Sequence, residues 1–500
     1  MSLLQKIGII AVFVFSLIFS SWYVLHGDIT FSADIGRDFH LLREVNEKKI
    51  VLIGPRSSTG LFHGPLWTYV NWPAYIVGHG NPVVVGWYWV ILATLFVISC
   101  YFIGKELFGR LSGLFFAMFT AVYMGYHTMG LFNPHGAMFF IPAFFYFFIK
   151  YMRTRKWKFL VFMLLAEAAI LQFQLALGIP FIILSTLWII VSLVKKGDKK
   201  QLLFLLLIPL MFTNFVLFDV RHDFLLAKKV MSFASPQDQG QIYNYTSLIK
   251  NRIDMAFNGT EILRHDAYGY LNVILFLSVL FLIFLQIRNG KNKDIYIYFL
   301  YFYFGFFLTS FIDKGPILYF YIFPLFPLVF LIISSFLNSK YEKYLIIPLC
   351  MILLINISNG IRDMKDSVNI IGKDTHSWKF LKEATDKIYS RGDKDIGYFV
   401  YSPDSFAYEG RYAMIYAAET HKNGSYFTKK PITYLLIAPT PVNKYITGDA
   451  WWTKNQIRIS DKPVFTINFP NGYKIQKYKL TEEETKIPYN TDSDPGLKFR

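Results

Sequence analysis

Phe31-Ser-Ala-Asp34-Ile-Gly-Arg37-Asp38-Phe-His40, followed by Gly54-Pro-Arg56-Ser-Ser-Thr-Gly60-Leu-Phe-His63-Gly-Pro65-Leu-Trp67, is the stretch that directs the reading of this chain. It gathers two carboxylates, two His and two Arg into one loop between the first apolar stretch, near 7–25, and the second, near 83–103. Charged groups held at a bilayer surface are costly to desolvate and usually have a task there. The loop is therefore expected to form the catalytic mouth of a membrane enzyme.

Composition supports the membrane setting. Of 500 residues 54% are hydrophobic and 17% charged, against roughly 25% charged in soluble domains. Mean hydropathy is +0.36. Phe counts 51 and Tyr 33, which makes for an aromatic interior. About eleven stretches approach the ~20 apolar residues of a membrane crossing. They lie near 7–25, 83–103, 111–127, 136–151, 159–175, 177–194, 202–218, 269–287, 295–311, 317–337 and 343–358. Lys6 precedes the apolar run from Ile7 to Trp22, and no small-residue cleavage pattern follows it cleanly. A retained first helix is expected rather than a signal peptide.

The net charge of +17 is explained by loops and not by nucleic acid. Lys105 and Arg110, then Lys150, Arg153, Arg155, Lys156 and Lys158, mark two loops. Lys195, Lys196, Lys199 and Lys200 mark a third, Arg288, Lys291 and Lys293 a fourth, and Lys340 with Lys343 a fifth. They alternate as cytoplasmic loops should. Loops 27–82 and 219–268 and the tail from 359 then fall outside the cell, with the membrane part occupying 1–358. The tail, 359–500, reads as a small extracytoplasmic α/β or α+β domain. Ile396 to Tyr401 and Thr433 to Ala438 alternate like strands, and Ser377 to Tyr389 has helical spacing. Cys100 and Cys350 lie far apart in apolar stretches and form neither a disulfide framework nor a metal pattern.

Asp34 and Asp38 are four apart, so a helix would put both on one face. They suit a general base and a partner that orients it; pairing with Arg37 and Arg43, or capping of a surface helix, is the plainer alternative. Gly54 to Leu66 supplies turns with free N–H groups, and Arg56 suits a phosphate. His63 suits the same phosphate or the acceptor. The stretch lacks the Gly-Lys-Ser ending of a nucleotide phosphate loop. Trp67 to Val77 is expected to lie in the membrane interface, interrupted by Pro73. Asn133 and His135 open the fourth span, either as a helix cap or in the active site. Glu167, Gln172 and Gln174 lie in or near the fifth span, the two Gln more in keeping with structural hydrogen bonds. Lys314 can reach a lipid phosphate or simply be solvated beside Asp313, and Tyr319 and Tyr321 suit either contacts or an interfacial belt.

Taken in order, these motifs resemble the GT-C membrane glycosyltransferases, in particular the protein O-mannosyltransferase-like and aminoarabinose-transferase-like families. The residues that carry the likeness are Asp34-Ile-Gly-Arg37-Asp38, Leu61-Phe-His63-Gly-Pro65-Leu66, Gly109-Arg-Leu-Ser-Gly113, Asn133-Pro134, Phe218-Asp219-Val-Arg221-His222 and Tyr321 with Pro324 and Pro327. The family's common Asp-Glu pair is Asp34-Ile35 here, which leaves open whether Asp38 replaces the missing acid. The resemblance implies a polyprenyl-phosphate sugar donor and transfer with inversion to a lipid, protein or glycan acceptor. It implies Asp34 as base, with Arg56, His63, Arg221 and His222 at the leaving phosphate. Some members of the class bind a divalent ion through this loop, for which Asp34, Asp38 and His63 are the residues at hand; metal dependence stays open. A transporter or flippase of a lipid-linked substrate is the alternative, although mid-span charges and inverted repeats do not stand out.

Overall fold

Apolar runs of this length fold as helices because a bilayer leaves no other way to satisfy the backbone. The computed structural model describes residues 3–57, 60–128, 130–196, 199–234, 244–259, 261–265, 268–290, 292–312, 315–403, 406–440 and 448–490. The first half comprises α1 (Leu3–Leu25), α2 (Ala33–Lys48), α3 (Leu66–Val77), α4 (Pro82–Phe108), α5 (Arg110–Thr128), α6 (Asn133–Thr154), α7 (Trp157–Phe173) and α8 (Leu175–Lys196). There follow α9 (Leu207–Met211), α10 (Thr213–Arg221), α11 (Leu225–Ala234), α12 (Tyr245–Asn258), α13 (Gly269–Asn289), α14 (Lys293–Thr309), α15 (Tyr319–Ile322), α16 (Phe326–Ser335) and α17 (Glu342–Ser367).

Each of the eleven expected spans falls on helical structure. Eight among the described residues are long and apolar enough to cross a membrane: α1, α4, α8, the run Lys199–Arg221, α13, α14, the run Tyr319–Asn338, and α17. The other three correspond to α5, α6 and α7. Helix α7 has 17 residues, short of the ~20 of a straight crossing, and α6 starts with the polar Asn133 and His135. Helix α3 runs unbroken through Pro73, a correction to the expected interruption.

Inside a bilayer there is little hydrophobic drive between helices, so close packing and ring contacts hold them. A Cβ on Gly104 of α4 would stand 2.8 Å from Gly113 Cα of α5, which is how closely those helices cross. Phe119 stacks on Phe330 at 4.9 Å, and Phe144 meets Phe302 edge-on at 5.1 Å. Ion pairs gather at one end: Lys150–Glu106 at 2.6 Å and Arg153–Asp294 at 2.7 Å.

At the opposite end sits the C-terminal unit. It contains α18 (Trp378–Tyr389), α19 (Tyr408–Thr420) and strands β1 (Ile396–Tyr401), β2 (Ser425–Tyr426), β3 (Ile432–Ile437), β4 (Phe465–Asn468) and β5 (Lys474–Lys479). The strand order is β2-β1-β3-β5-β4, parallel for β2, β1 and β3 and antiparallel beyond. Every residue of β1 is buried, as parallel central strands tend to be. This unit is stitched to the loop after α1. Phe31 donates its N–H to His376 O at 2.6 Å, and Trp378 donates to Ile29 O at 3.1 Å. Helix α2 lies against α19, and Gly36 permits it: a Cβ there would come within 2.6 Å of Glu409 N.

Candidate functional site

The two carboxylates of α2 do not share one environment. The Asp34 side chain is 58% exposed, whereas that of Asp38 is fully buried. Arg37 lies between them. Its Nη1 donates to Asp34 Oδ1 at 2.8 Å, and its Nε and Nη2 donate to Asp38 Oδ1 at 2.9 and 2.8 Å. Nη1 also donates to the carbonyl of Arg56 at 2.9 Å. Burial alone would lower the Arg37 pKa, but Asp38 and then Asp34 outweigh it and raise it. Asp38 thus fixes the guanidinium, and the guanidinium fixes Asp34, whose carboxylate is the one open to a substrate. Arg43 takes no part; it pairs with Glu47 and Glu419.

The second cluster forms a hairpin. Gly54 N donates to His63 O at 2.7 Å, His63 N to Pro55 O at 2.8 Å, and Arg56 bridges Phe62. Gly64 rests on α7 so closely that a Cβ would overlap the Gln172 side chain. Gln172 itself is structural, donating to Met211 O and Asn214 Oδ1 at 2.8 Å each. His63 is 8% exposed and accepts from Leu175 N at 3.4 Å. Burial, with Arg37 adding to it, pushes its pKa down to about 3, which favours the neutral imidazole.

A small apolar core of Ile53, Phe62, Phe215 and Phe218 pins the hairpin to α10. His222 stacks on Phe218 at 4.1 Å and its Nδ1 pairs with Phe218 O at 2.8 Å. Asp219 caps α11, accepting from Leu226 N at 2.6 Å and Ala227 N at 3.0 Å. Arg221 is exposed at the end of α10. The consequence is a cavity of about 460 Å³ lined by Arg56, Gly60, Phe62, Leu225, Lys228, Lys229 and Ser232. Gly60 has φ +87°, and a Cβ on it would stand 3.3 Å from Lys229 Cε and 3.4 Å from Arg56 Nη2. Three cations and, among the described residues, no carboxylate line this space, which suits a phosphate. Lys228 and Lys229 were not singled out from sequence, because in an amphipathic helix they read as a solvated face.

The other expected site residues do not line this cavity or lie outside the described residues. Asn133 is buried and donates to Phe173 O at 2.7 Å; His135 accepts from Phe132 N at 3.2 Å and meets Phe323 at 4.8 Å. Both lock the start of α6. Tyr321, in α15, packs on Phe320 at 4.5 Å. Lys314 lies outside the described residues. Glu167 is buried in α7. Among the described residues no three His, Cys, Asp or Glu side chains come together as a metal ion would need.

A second polar cavity, of about 350 Å³, escaped sequence reading. Trp22, Tyr23, Tyr123 and Tyr319 line it with Glu261, Arg264 and Asp363, and Arg264 pairs with Asp363 at 2.9 Å. Three buried Asn hold its loop: Asn272 bonds both N–H and C=O of Leu263, Asn356 bonds Ile262 and Arg264, and Asn359 bonds Arg264 O.

No protein-family model matches the chain, and no curated protein does. Solved structures do. ArnT from Cupriavidus metallidurans bound to undecaprenyl phosphate aligns with a TM-score of 0.57 at 12% identity, over 95% of this chain and 98% of that one. The apo state of that protein aligns at 0.58 and 11% identity, over 94% and 98%. The GT-C-like fold expected from the loop-one motifs is therefore present.

Proposed function

We propose that the chain is a membrane glycosyltransferase that takes its sugar from a polyprenyl-phosphate donor at the extracytoplasmic face. The observation that carries this reading is Arg37 bridging the exposed Asp34 carboxylate to the backbone of Arg56, the residue that opens the basic cavity. It sets a base beside a phosphate-sized cluster of cations. The fold shared with ArnT, crystallised with undecaprenyl phosphate, agrees with a lipid-phosphate donor.

The chemistry is one displacement. The acceptor hydroxyl or amine attacks the anomeric carbon and its proton passes to Asp34. The bond from that carbon to the phosphate oxygen breaks, and polyprenyl phosphate leaves with the electron pair. A single displacement inverts the sugar carbon. Arg56, Lys228 and Lys229 stabilise the leaving phosphate, with Arg221 nearby on the adjoining helix. Removing one such donor typically costs ~10²–10³ in rate. The basic loops at the far end face the cytoplasm, which puts the mouth and the C-terminal unit outside, where no nucleotide donor is available.

The test is transfer of labelled sugar from a synthetic polyprenyl-phosphate donor by the protein in proteoliposomes, with mass spectrometry of envelope glycans and lipids to find the acceptor. Asp34→Asn is expected to abolish transfer while leaving thermal unfolding unchanged. Transfer that survives Asp34→Asn would sink the reading. Movement of the lipid without any transfer would favour the flippase alternative.

A further inference from the structure

The C-terminal unit has a cavity of its own. The chain leaves β1 through α19 to β2 on one side, then crosses back to β3 on the other. In open sheets with parallel strands, ligands bind beyond the carboxyl ends of the strands, where the order reverses. A cavity of about 210 Å³ occupies that place, bounded by Tyr401 at the end of β1 and Ser402 after it, Ala438 after β3, Glu409 at the start of α19, and Tyr473.

Tyr473 supplies an independent sign of a ligand. The residue is 3% exposed, its ring is set against Phe380 and Phe469 at 5.4 and 6.2 Å, and its Oη makes no hydrogen bond among the described residues. That oxygen stands beside a cavity wall, since a Cβ on Gly410 would lie 3.6 Å from it. A buried hydroxyl without a partner is costly, and a bound polar group would relieve it. Glu409 is 6% exposed and accepts from Ser402 Oγ at 3.4 Å. Among the described residues no Lys or Arg lines the cavity, Glu409 is the one carboxylate there, and His376 also borders it. A buried carboxylate beside a buried phenol favours neutral hydroxyls over an anion, and Tyr473 and Glu409 can bind them together. The volume is below the ~300–1,000 Å³ of drug-sized sites, so it fits one ring or polyol. Its wall is also the floor of the active loop, because the backbone of Glu409 packs directly on Gly36 of α2.

We infer that this cavity binds a neutral, hydroxyl-bearing unit, one sugar or alditol residue of the acceptor, and so presents the acceptor to the mouth beside α2. The word acceptor rests on the transferase reading; the binding itself does not.

The experiment uses the full chain in nanodiscs as Asp34→Asn, so that no turnover intrudes. Glucose, galactose, N-acetylglucosamine, ribitol and glycerol are tested one at a time by saturation-transfer difference NMR. At least one is expected to bind. Tyr473→Phe, which keeps the ring packing, should weaken it about fivefold, and Glu409→Gln about tenfold or more. If Tyr473→Phe lowers the melting temperature, Ser402→Ala at the half-buried rim replaces it, with a severalfold loss expected. No binding by any probe, or binding that none of these variants weakens, overturns the inference. A protein that binds a probe here but transfers no sugar keeps this site and loses the transferase reading; one that transfers sugar but binds no probe loses only this site.

Discussion

Asp28 Oδ2 accepts the hydroxyl of Ser377 at 2.6 Å, tying the end of α1 to the start of α18 across 349 positions of sequence. The same carboxylate accepts the N–H groups of Gly372 and Lys379, each at 3.0 Å, and of Ile29 at 2.8 Å. Asp28 is 1% exposed. It is thus the clasp that fixes the C-terminal unit to the loop after α1. Asp28→Ala takes the acceptor from four donors, of which the Gly372 N–H keeps Ser377 Oγ, and should cost about 3 kcal/mol or more. The expected result is a lower melting temperature and faster proteolysis between α17 and α18; an unchanged digestion pattern would contradict the clasp.

Arg37→Ala leaves Asp38 buried without its cation. Breaking a buried pair by removing one partner costs about 3–5 kcal/mol, and Asp34 loses its orienting donor as well. Arg37→Lys should fail too, since an ammonium cannot fork to two carboxylates and a carbonyl. The double variant Arg37→Met with Asp38→Leu separates the effects. It should regain stability in a thermal melt yet stay inactive, and recovery of sugar transfer in that variant would show that Arg37 does not position Asp34.

The basic cavity should reveal itself in donor affinity. Arg56→Ala, Lys228→Ala and Lys229→Ala are each expected to raise the KM for the lipid-phosphate donor roughly tenfold, as loss of a hydrogen bond to a charged group does. Salt should weaken donor binding in the wild type, and less so in the variants. A donor KM indifferent to all three changes would remove this cavity from the mechanism.

Acid should destabilise the loop region in a defined window. Burial, with Arg411 and Arg43 adding to it, pushes the pKa of His40 down to about 3, and burial with Arg37 does the same for His63. The unfolded chain takes up these protons near pH 6.5. Between about pH 6.5 and 3 the unfolded state therefore binds more protons, and stability falls as pH falls. The slope is at most ~1.4 kcal/mol per pH unit for each His. Melting temperatures measured from pH 7 to 5 should decline, and His40→Asn or His63→Asn should flatten the decline. An equal slope in both variants would place the acid sensitivity elsewhere.

Hydropathy and periodicity are local properties, and what they encode was legible in the chain. The runs that became α1, α4, α8, α13, α14 and α17 are apolar enough to demand helices in a bilayer. The alternation at Ile396–Tyr401 and the spacing at Trp378–Tyr389 gave β1 and α18. The order of short motifs from Asp34 to Tyr321 indicated the fold that ArnT shares. Tertiary structure alone decided which acid is exposed. Asp34 and Asp38 are the same residue type four positions apart, and only the tertiary packing around α2 makes one exposed and the other buried. It alone decided that Lys228 and Lys229 join Arg56, through a core built from Ile53, Phe62, Phe215 and Phe218. It likewise decided that Asp28 is a clasp and that Tyr473 faces a cavity. The reason is that a side chain's chemistry depends on which groups surround it, and those neighbours come from distant parts of the chain that no local pattern records.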